Sequence, residues 1–377
     1  MVQVYLFKRN VIMFEAMTKL VAENDAFLSA DYSRFGNTYK VFNYRLASYT
    51  DFMQPYALEM RGITFLIREG KDPVLVSRPF AKFFNLGENP LTMDLDLSLA
   101  TAYEEKADGS LIATYYDGFT KSFGLKSKQA FFSEQAIMAE EFLNRPENIK
   151  LREETLYYAS EGCTVLMELC SPANRIVLEY PTTHLKVHGI RHNETGGYIP
   201  KSSLHGDSAL LKAWVKQVEV KGLPNDFIAS TVASEGIEGY VVHGPWGRFK
   251  QKTAWYQNLH HLKDSINGTK ALIESIVFSR IDDVKALFAT DTFTLDRIKT
   301  MEEKVIPVFN RIVKTTEEFV ASNKDLPRKD FAIKGQAEIP QYFHLAMQSY
   351  LGKPVNYEDF CMKYYKELFG ETEENLV

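Results

Sequence analysis

Tyr103-Glu-Glu-Lys-Ala-Asp-Gly-Ser-Leu-Ile-Ala-Thr-Tyr-Tyr116 is the stretch on which the fold and chemistry of this chain turn. Lys106 stands at the mouth of a β-type run, with the turn-forming pair Asp108-Gly109 behind it and Ser110 opening the strand. A lysine on the rim of a rigid strand can project its amine into a cleft and act there as a covalent nucleophile. The plainer alternative is a hairpin turn flanked by a solvated lysine.

Working outward, further charges sit inside apolar, strand-like runs. Upstream are Glu59-Met-Arg-Gly-Ile-Thr-Phe65 and Ser77-Arg-Pro-Phe-Ala-Lys-Phe-Phe-Asn85; downstream are Leu125-Lys-Ser-Lys128, Leu166-Met-Glu-Leu169, Ile237-Glu-Gly-Tyr-Val-Val242 and Phe249-Lys-Gln-Lys252. A charge flanked by core residues is costly unless it faces a polar cleft or finds a partner. Several together point to one shared polar pocket in a β scaffold.

From Val41 to about residue 255 the pattern is short β-type runs bounded by Gly, Pro and Asn. One helix is expected to interrupt them from the N-cap Ser133 through Phe142, and another over 207–220. After Lys252 the apolar period becomes helical. Leu295, Ile298, Val305, Ile306, Phe309, Ile312, Val313 and Val320 predict one long helix with Pro307 as a kink point, and shorter amphipathic segments lie at 269–278, 282–289, 340–351 and 357–369. The expected fold class is α+β, an antiparallel-sheet-rich domain over 1–256 followed by an all-α domain over 257–377. The acidic tail Glu371-Thr-Glu-Glu is expected to fray.

The 377 residues allow two cores. A net charge of -5 excludes a globally basic nucleic-acid coat, so contacts must be local, with Lys121–Lys128 and Arg248-Phe-Lys-Gln-Lys252 as candidate clusters. No apolar run suits a membrane span, the N-terminal residues give no expectation of secretion, and the three cysteines lack paired spacing. A reducing cytoplasm is the expected location.

Taken in order, these strings closely resemble the covalent nucleotidyltransferase superfamily of ATP-dependent ligases and capping guanylyltransferases, and within it the T-even bacteriophage RNA ligase 1 type. Phe42-Asn-Tyr-Arg-Leu-Ala-Ser-Tyr, Pro172-Ala-Asn-Arg-Ile-Val-Leu178 and Phe-Lys-x-Lys-x-x-Trp-Tyr256 extend the resemblance over nearly the whole chain. Gln129 departs from it, standing where the family often has Gly.

The resemblance implies an adenylyltransferase domain in which Lys106 takes AMP from ATP. It assigns phosphate clamping to Arg61, Lys82, Lys250 and Lys252, the ribose hydroxyls to Glu168 with Tyr44 against the nucleotide, and Mg²⁺ to Glu238 and Asp282. Asp108, Gly109, Ser110, Lys126, Lys128 and Tyr256 also match activity-linked positions. Neighbouring cations are expected to lower the pKa of Lys106. Plainer readings stand beside these: Arg61 and Arg78 as salt-bridge partners, Tyr44 and Tyr256 as core aromatics, and Asp282 as a helix cap.

The implied reaction joins 5′-phosphate and 3′-hydroxyl RNA ends in the infected host's cytoplasm. The implied substrate is tRNA broken in its anticodon loop, with end healing by a separate kinase/phosphatase. A DNA ligase or capping enzyme would share Lys106 but carry a β-barrel after the last motif, where this chain reads as helical. A catalytically silent RNA-binding protein would not need the charge constellation. His184, His188 and His192 fall on a strand pattern that sets them ~13 Å apart, too far to share a zinc ion.

Overall fold

The structure, a computed structural model, describes residues 2–34, 36–45, 47–288 and 292–370. The acidic tail lies outside them. The chain forms two compact units, Met1–Leu259 and His260–Val377.

Three four-stranded sheets, all of whose strand pairs are antiparallel, build the first unit. The first holds β1 (Phe27–Arg34), β2 (Asn37–Tyr44), β3 (Ile63–Ile67) and β4 (Val74–Ser77) in sequence order. The second runs β10-β5-β11-β12, with β5 (Ala102–Glu105), β10 (Gln217–Val218), β11 (Gly239–Gly244) and β12 (Gly247–Lys252). The third runs β7-β6-β8-β9, with β6 (Ser110–Asp117), β7 (Ser122–Ser127), β8 (Cys163–Cys170) and β9 (His184–His192). Tyr39, Val41, Leu66 and Val76 pack against Tyr115 and Phe131 to join the first and third sheets. Helices Glu134–Leu143 and Ile149–Ser160 cover the third sheet through Ala139, Leu143 and Leu151.

The four residues from Lys106 to Gly109 carry the chain from the second sheet to the third. The Lys106 amide donates to the Gly239 carbonyl at 2.9 Å, and Ser110 pairs with Leu169 on the far side. Gly109 is required here because a Cβ would run into the Leu169 carbonyl. The segment after β4 docks beside β12, with Lys250 N donating to Phe84 O at 2.9 Å and Leu86 N to Lys250 O at 3.0 Å. This brings Lys82 within electrostatic reach of Lys250.

Ser133 caps its helix as expected, its side chain accepting from Ala136 N. The helix expected over 207–220 is corrected: only Ala209–Lys212 is helical. Beyond it Val187 N donates to Ala213 O and Val215 N to Val187 O, drawing the chain out along β9 before it adds β10. Val2–Glu23 forms a helix that the reading from Val41 onward leaves out, though Met13, Met17 and Leu20 recur at helical steps and are buried on the first sheet.

Among the described residues the second unit is wholly helical. Thr292–Asn323 is one helix with Pro307 inside it, burying Ile298, Val305, Ile312 and Phe319 at seven-residue intervals. Around it lie Thr269–Val277, Ile281–Leu287, Arg328–Glu338, Phe343–Tyr350, Tyr357–Lys363 and Tyr365–Phe369.

Candidate active site

Strand alternation selects the reactive face of the second sheet. Phe249, Val242 and Tyr103 turn to a core with Ile228, so Arg248, Lys250 and Lys252 share the opposite face of β12. Lys252 lies across from Gly239, Lys250 from Val241, and Val241 from Glu104. Lys106 Nζ meets Glu238 Oε1 at 2.8 Å, and Lys252 Nζ reaches the same oxygen at 3.1 Å. Glu238 is almost fully buried, whereas the Lys106 side chain keeps 21% of its surface open.

The expected lowering of the Lys106 pKa is corrected. Burial, the largest single influence, pushes it down, but Glu238, Glu168 and Asp108 together outweigh burial and hold it above the ordinary lysine value. The carboxylates are simply better placed than the cations. Lys250 carries the lowered value, about 7, through burial and the repulsion of Lys106, Arg61, Lys82 and Lys252.

Beside this carboxylate-paired lysine lies a group of cations without acid partners. Among the described residues no carboxylate stands within salt-bridge range of Arg61, Lys82, Lys128 or Lys250. The Arg61 Nη1 is buried with no hydrogen-bond acceptor among the described residues. Tyr44 lies between two of them, with Lys82 Nζ 5.5 Å and Lys128 Nζ 4.7 Å from its ring centroid. Lys128 is lowered by burial and by Arg61 and Lys82. Like charges gathered and half-desolvated without counter-ions await a polyanion.

Other residues singled out by sequence hold the scaffold. Asp108 accepts from Val177 N at 2.8 Å, Leu178 N at 2.6 Å and Tyr256 Oη at 2.6 Å, so both it and Tyr256 lock the Lys106 turn. Ser110 hydrogen-bonds Asn174. Lys126 is fully buried and donates to Gly62 O and Ser127 O, each at 2.9 Å, bracing the turn that carries Arg61. Gly62 has φ +90, and a Cβ there would overlap the Lys128 carbonyl. Gln129 takes no left-handed backbone, so the loss of Gly there leaves the turn unstrained.

Burial lowers Lys126 to about 7. A lysine whose folded pKa lies below its unfolded value of about 10.4 binds fewer protons when folded, so stability rises with pH between those values. Denaturant unfolding at pH 7.5 and 9.5 is expected to show greater stability at the higher pH. Lys126→Met should reduce that slope, by at most about 1.4 kcal/mol per pH unit for this one group. An unchanged slope in the variant would contradict the assignment.

Arg78 is structural. It shares Glu59 with Arg191, both at 2.8 Å, and donates to the Asn193 carbonyl at 2.9 Å, tying the first sheet to β9. Arg191 carries no local sequence signal, because its partner lies 132 residues away. Glu168, on β8, has His188 Nε2 3.5 Å from Oε2. His184, His188 and His192 do lie on one strand. His188 is a cleft residue that sequence reasoning set aside with the other two; its position across from β8 was the available signal. Asp282 belongs to the second unit, with its side chain 89% exposed and 3.7 Å from Lys285. It does not cap its helix, whose N-cap is Arg280.

An amine held by a buried carboxylate beside a cluster of cations suits transfer of a nucleotidyl group, the chemistry of covalent nucleotidyl-transfer enzymes. A family profile described as RNA ligase matches residues 59–256, and one described as T4 RNA ligase 1, C-terminal domain, matches 263–373. The chain belongs to the RNA ligase family.

A putative RNA ligase of Thermovibrio ammonificans is 31% identical over 261 residues, 66% of this chain and 65% of that protein, so the chain spans somewhat less than two thirds of that relative's length. RNA ligase 1 of bacteriophage TS2126 is 26% identical over 323 residues, covering 80% of this chain and 77% of its own. Among solved structures, an archaeal ATP-dependent RNA ligase (form 2) aligns over 79% of this chain and 78% of that one, with TM-score 0.46 and 16% identity. No helix among the described residues is long and apolar enough to cross a membrane.

Proposed function

We propose that this protein is an ATP-dependent RNA ligase that joins 5′-phosphate and 3′-hydroxyl RNA ends through a lysyl-AMP at Lys106. One observation carries the reading: Lys106 is paired with Glu238 at the edge of a cluster, Arg61, Lys82, Lys128 and Lys250, that lacks carboxylate partners among the described residues. Membership of the RNA ligase family supports it.

The residues fit the nucleotide. The orphaned Arg61 Nη1 and the unpaired lysines supply what a triphosphate needs, and Glu238 offers a buried carboxylate beside the reacting amine. A divalent cation, proposed as Mg²⁺, takes oxygen ligands and would be held by Glu238 together with phosphate oxygens, neutralising charge at the phosphates when bound.

Lys106 Nζ, oriented by Glu238, loses its proton to water and then attacks the α-phosphorus of ATP. A P–N bond forms while the bond to pyrophosphate breaks. Lys250, Lys252, Lys82 and Arg61 hold the departing charge. The AMP next passes to the 5′-phosphate of RNA, breaking the P–N bond and freeing Lys106. A 3′-hydroxyl then displaces AMP and makes the phosphodiester. Glu168 is proposed to receive the ribose hydroxyls, with Tyr44 against the nucleotide.

The substrate is proposed to be tRNA cleaved in its anticodon loop, with the helical second unit choosing it. The match of residues 263–373 to an RNA ligase C-terminal profile supports RNA over a DNA ligase or capping enzyme. Parallel sealing assays on broken tRNA, a nicked DNA duplex and single-stranded DNA test this, and preferential sealing of either DNA would overturn it. Truncation after Leu259 is expected to keep most self-adenylylation and lose the preference for broken tRNA over generic RNA ends. A folded truncation with undiminished preference would place specificity in the first unit.

A further inference from the structure

Arg248 has no part in the reaction just described, yet its surroundings differ from those of every arginine near it. Its guanidinium carbon stands 3.9 Å from the Tyr198 ring centroid and 4.9 Å from that of Phe80. Those two rings stack on each other with centroids 6.0 Å apart. Arg191 lies over the same Tyr198 at 5.4 Å, but its nitrogens are taken by Glu59 and by the carbonyls of Pro79 and Gly196. Arg78 is likewise spent on Glu59 and two carbonyls.

Arg248 makes no hydrogen bond or ion pair with any described residue. Glu104 is near enough to attract it, but its two oxygens already meet Trp214 Nε1 at 3.2 Å and His243 Nε2 at 3.0 Å. The guanidinium rests against the two rings with no acceptor among the described residues, and none of its nitrogens is sealed from solvent, so its five N–H donors are open to a ligand. Strand alternation puts Arg248 on the face of Lys250 and Lys252, in steps of ~6.6 Å.

We propose that Arg248, backed by Tyr198 and Phe80, is a third phosphate-binding cation on β12, taking a phosphate group either of the bound nucleotide or of the RNA end. The inference rests on the ligase reading for its ligand class. A guanidinium binds phosphate through two parallel N–H groups in a plane, and aromatic backing fixes that plane; an ammonium offers a point charge without the fork.

The test measures equilibrium binding of ATP, and separately of a 5′-phosphorylated RNA oligonucleotide, to the full chain and to Arg248→Ala, with folding checked by thermal melting. A loss of tenfold or more confined to ATP supports the nucleotide as the source. A loss confined to RNA, with a binding slope against log salt shallower by about one, supports the RNA phosphate. Should Arg248→Ala fail to fold, Arg248→Lys keeps charge and stem and is expected to lose affinity in the same arm. Binding within twofold of wild type in both arms, in whichever variant folds, would overturn the proposal. Covalent labelling of wild type by ATP is scored alongside: its absence would count against the ligase reading, whereas normal labelling with unchanged binding would sink this subsite alone.

Discussion

Lys106→Ala is expected to abolish self-adenylylation and the sealing of ordinary 5′-phosphate RNA while leaving the protein folded. The side chain lies at the edge of the cleft with part of its surface open, and its main-chain hydrogen bond to Gly239 survives the substitution. The turn is held from elsewhere, by Asp108 with Val177, Leu178 and Tyr256. RNA that already carries AMP on its 5′-phosphate should still be joined at least in part, since the last step needs the phosphate clamps and not the nucleophile. Labelled ATP, denaturing gels and a pre-adenylylated oligonucleotide check all three outcomes.

Glu238→Ala should cost ~100-fold or more in self-adenylylation, about 2.7 kcal/mol of transition-state stabilisation. The substitution removes a carboxylate that both Lys106 and Lys252 contact, leaving two partly buried ammonium groups facing each other and the proposed metal without its protein oxygen. Glu238→Gln separates these roles. Because Glu238 helps hold the Lys106 amine above the usual lysine range, the adenylylation rate of wild type should climb as pH rises toward that pKa. The Gln variant's profile should move to lower pH even as its amplitude falls. Stopped-flow rates from pH 6.5 to 9.5 read both, and an unmoved profile would remove Glu238 as the controlling group.

Much of this was legible in the sequence because the signals are local. Lys106 at a strand mouth, Asp-Gly behind it, alternating cations on β12 and the seven-residue period of Thr292–Asn323 each lie within one element. What escaped depends on long-range geometry. The pull of Glu238 on Lys106 spans more than a hundred residues, so counting nearby cations gave the wrong sign for the pKa shift. Lys126 and Lys128, two residues apart, look alike in sequence, yet one is buried under Gly62 and the other faces Tyr44. The false helix over 207–220 had adequate local propensity and lost to pairing with β9 and β5.

Lys106 is the proposed carrier of the AMP, although it is not the easiest lysine to deprotonate. Lys126 and Lys250 both fall to about 7 and on acidity alone would be the better nucleophiles. Lys126 is sealed under Gly62, and Lys250 sits among cations with no carboxylate beside it among the described residues, whereas Lys106 stands at the cleft edge with part of its surface open and its amine oriented by Glu238 Oε1 at 2.8 Å. Incubation of the wild-type protein with ATP, proteolysis under denaturing conditions and mass mapping of the adenylylated peptide decides between them. AMP is expected on Lys106 alone; AMP on Lys250, or on any lysine with Lys106 unmodified, would overturn the assignment.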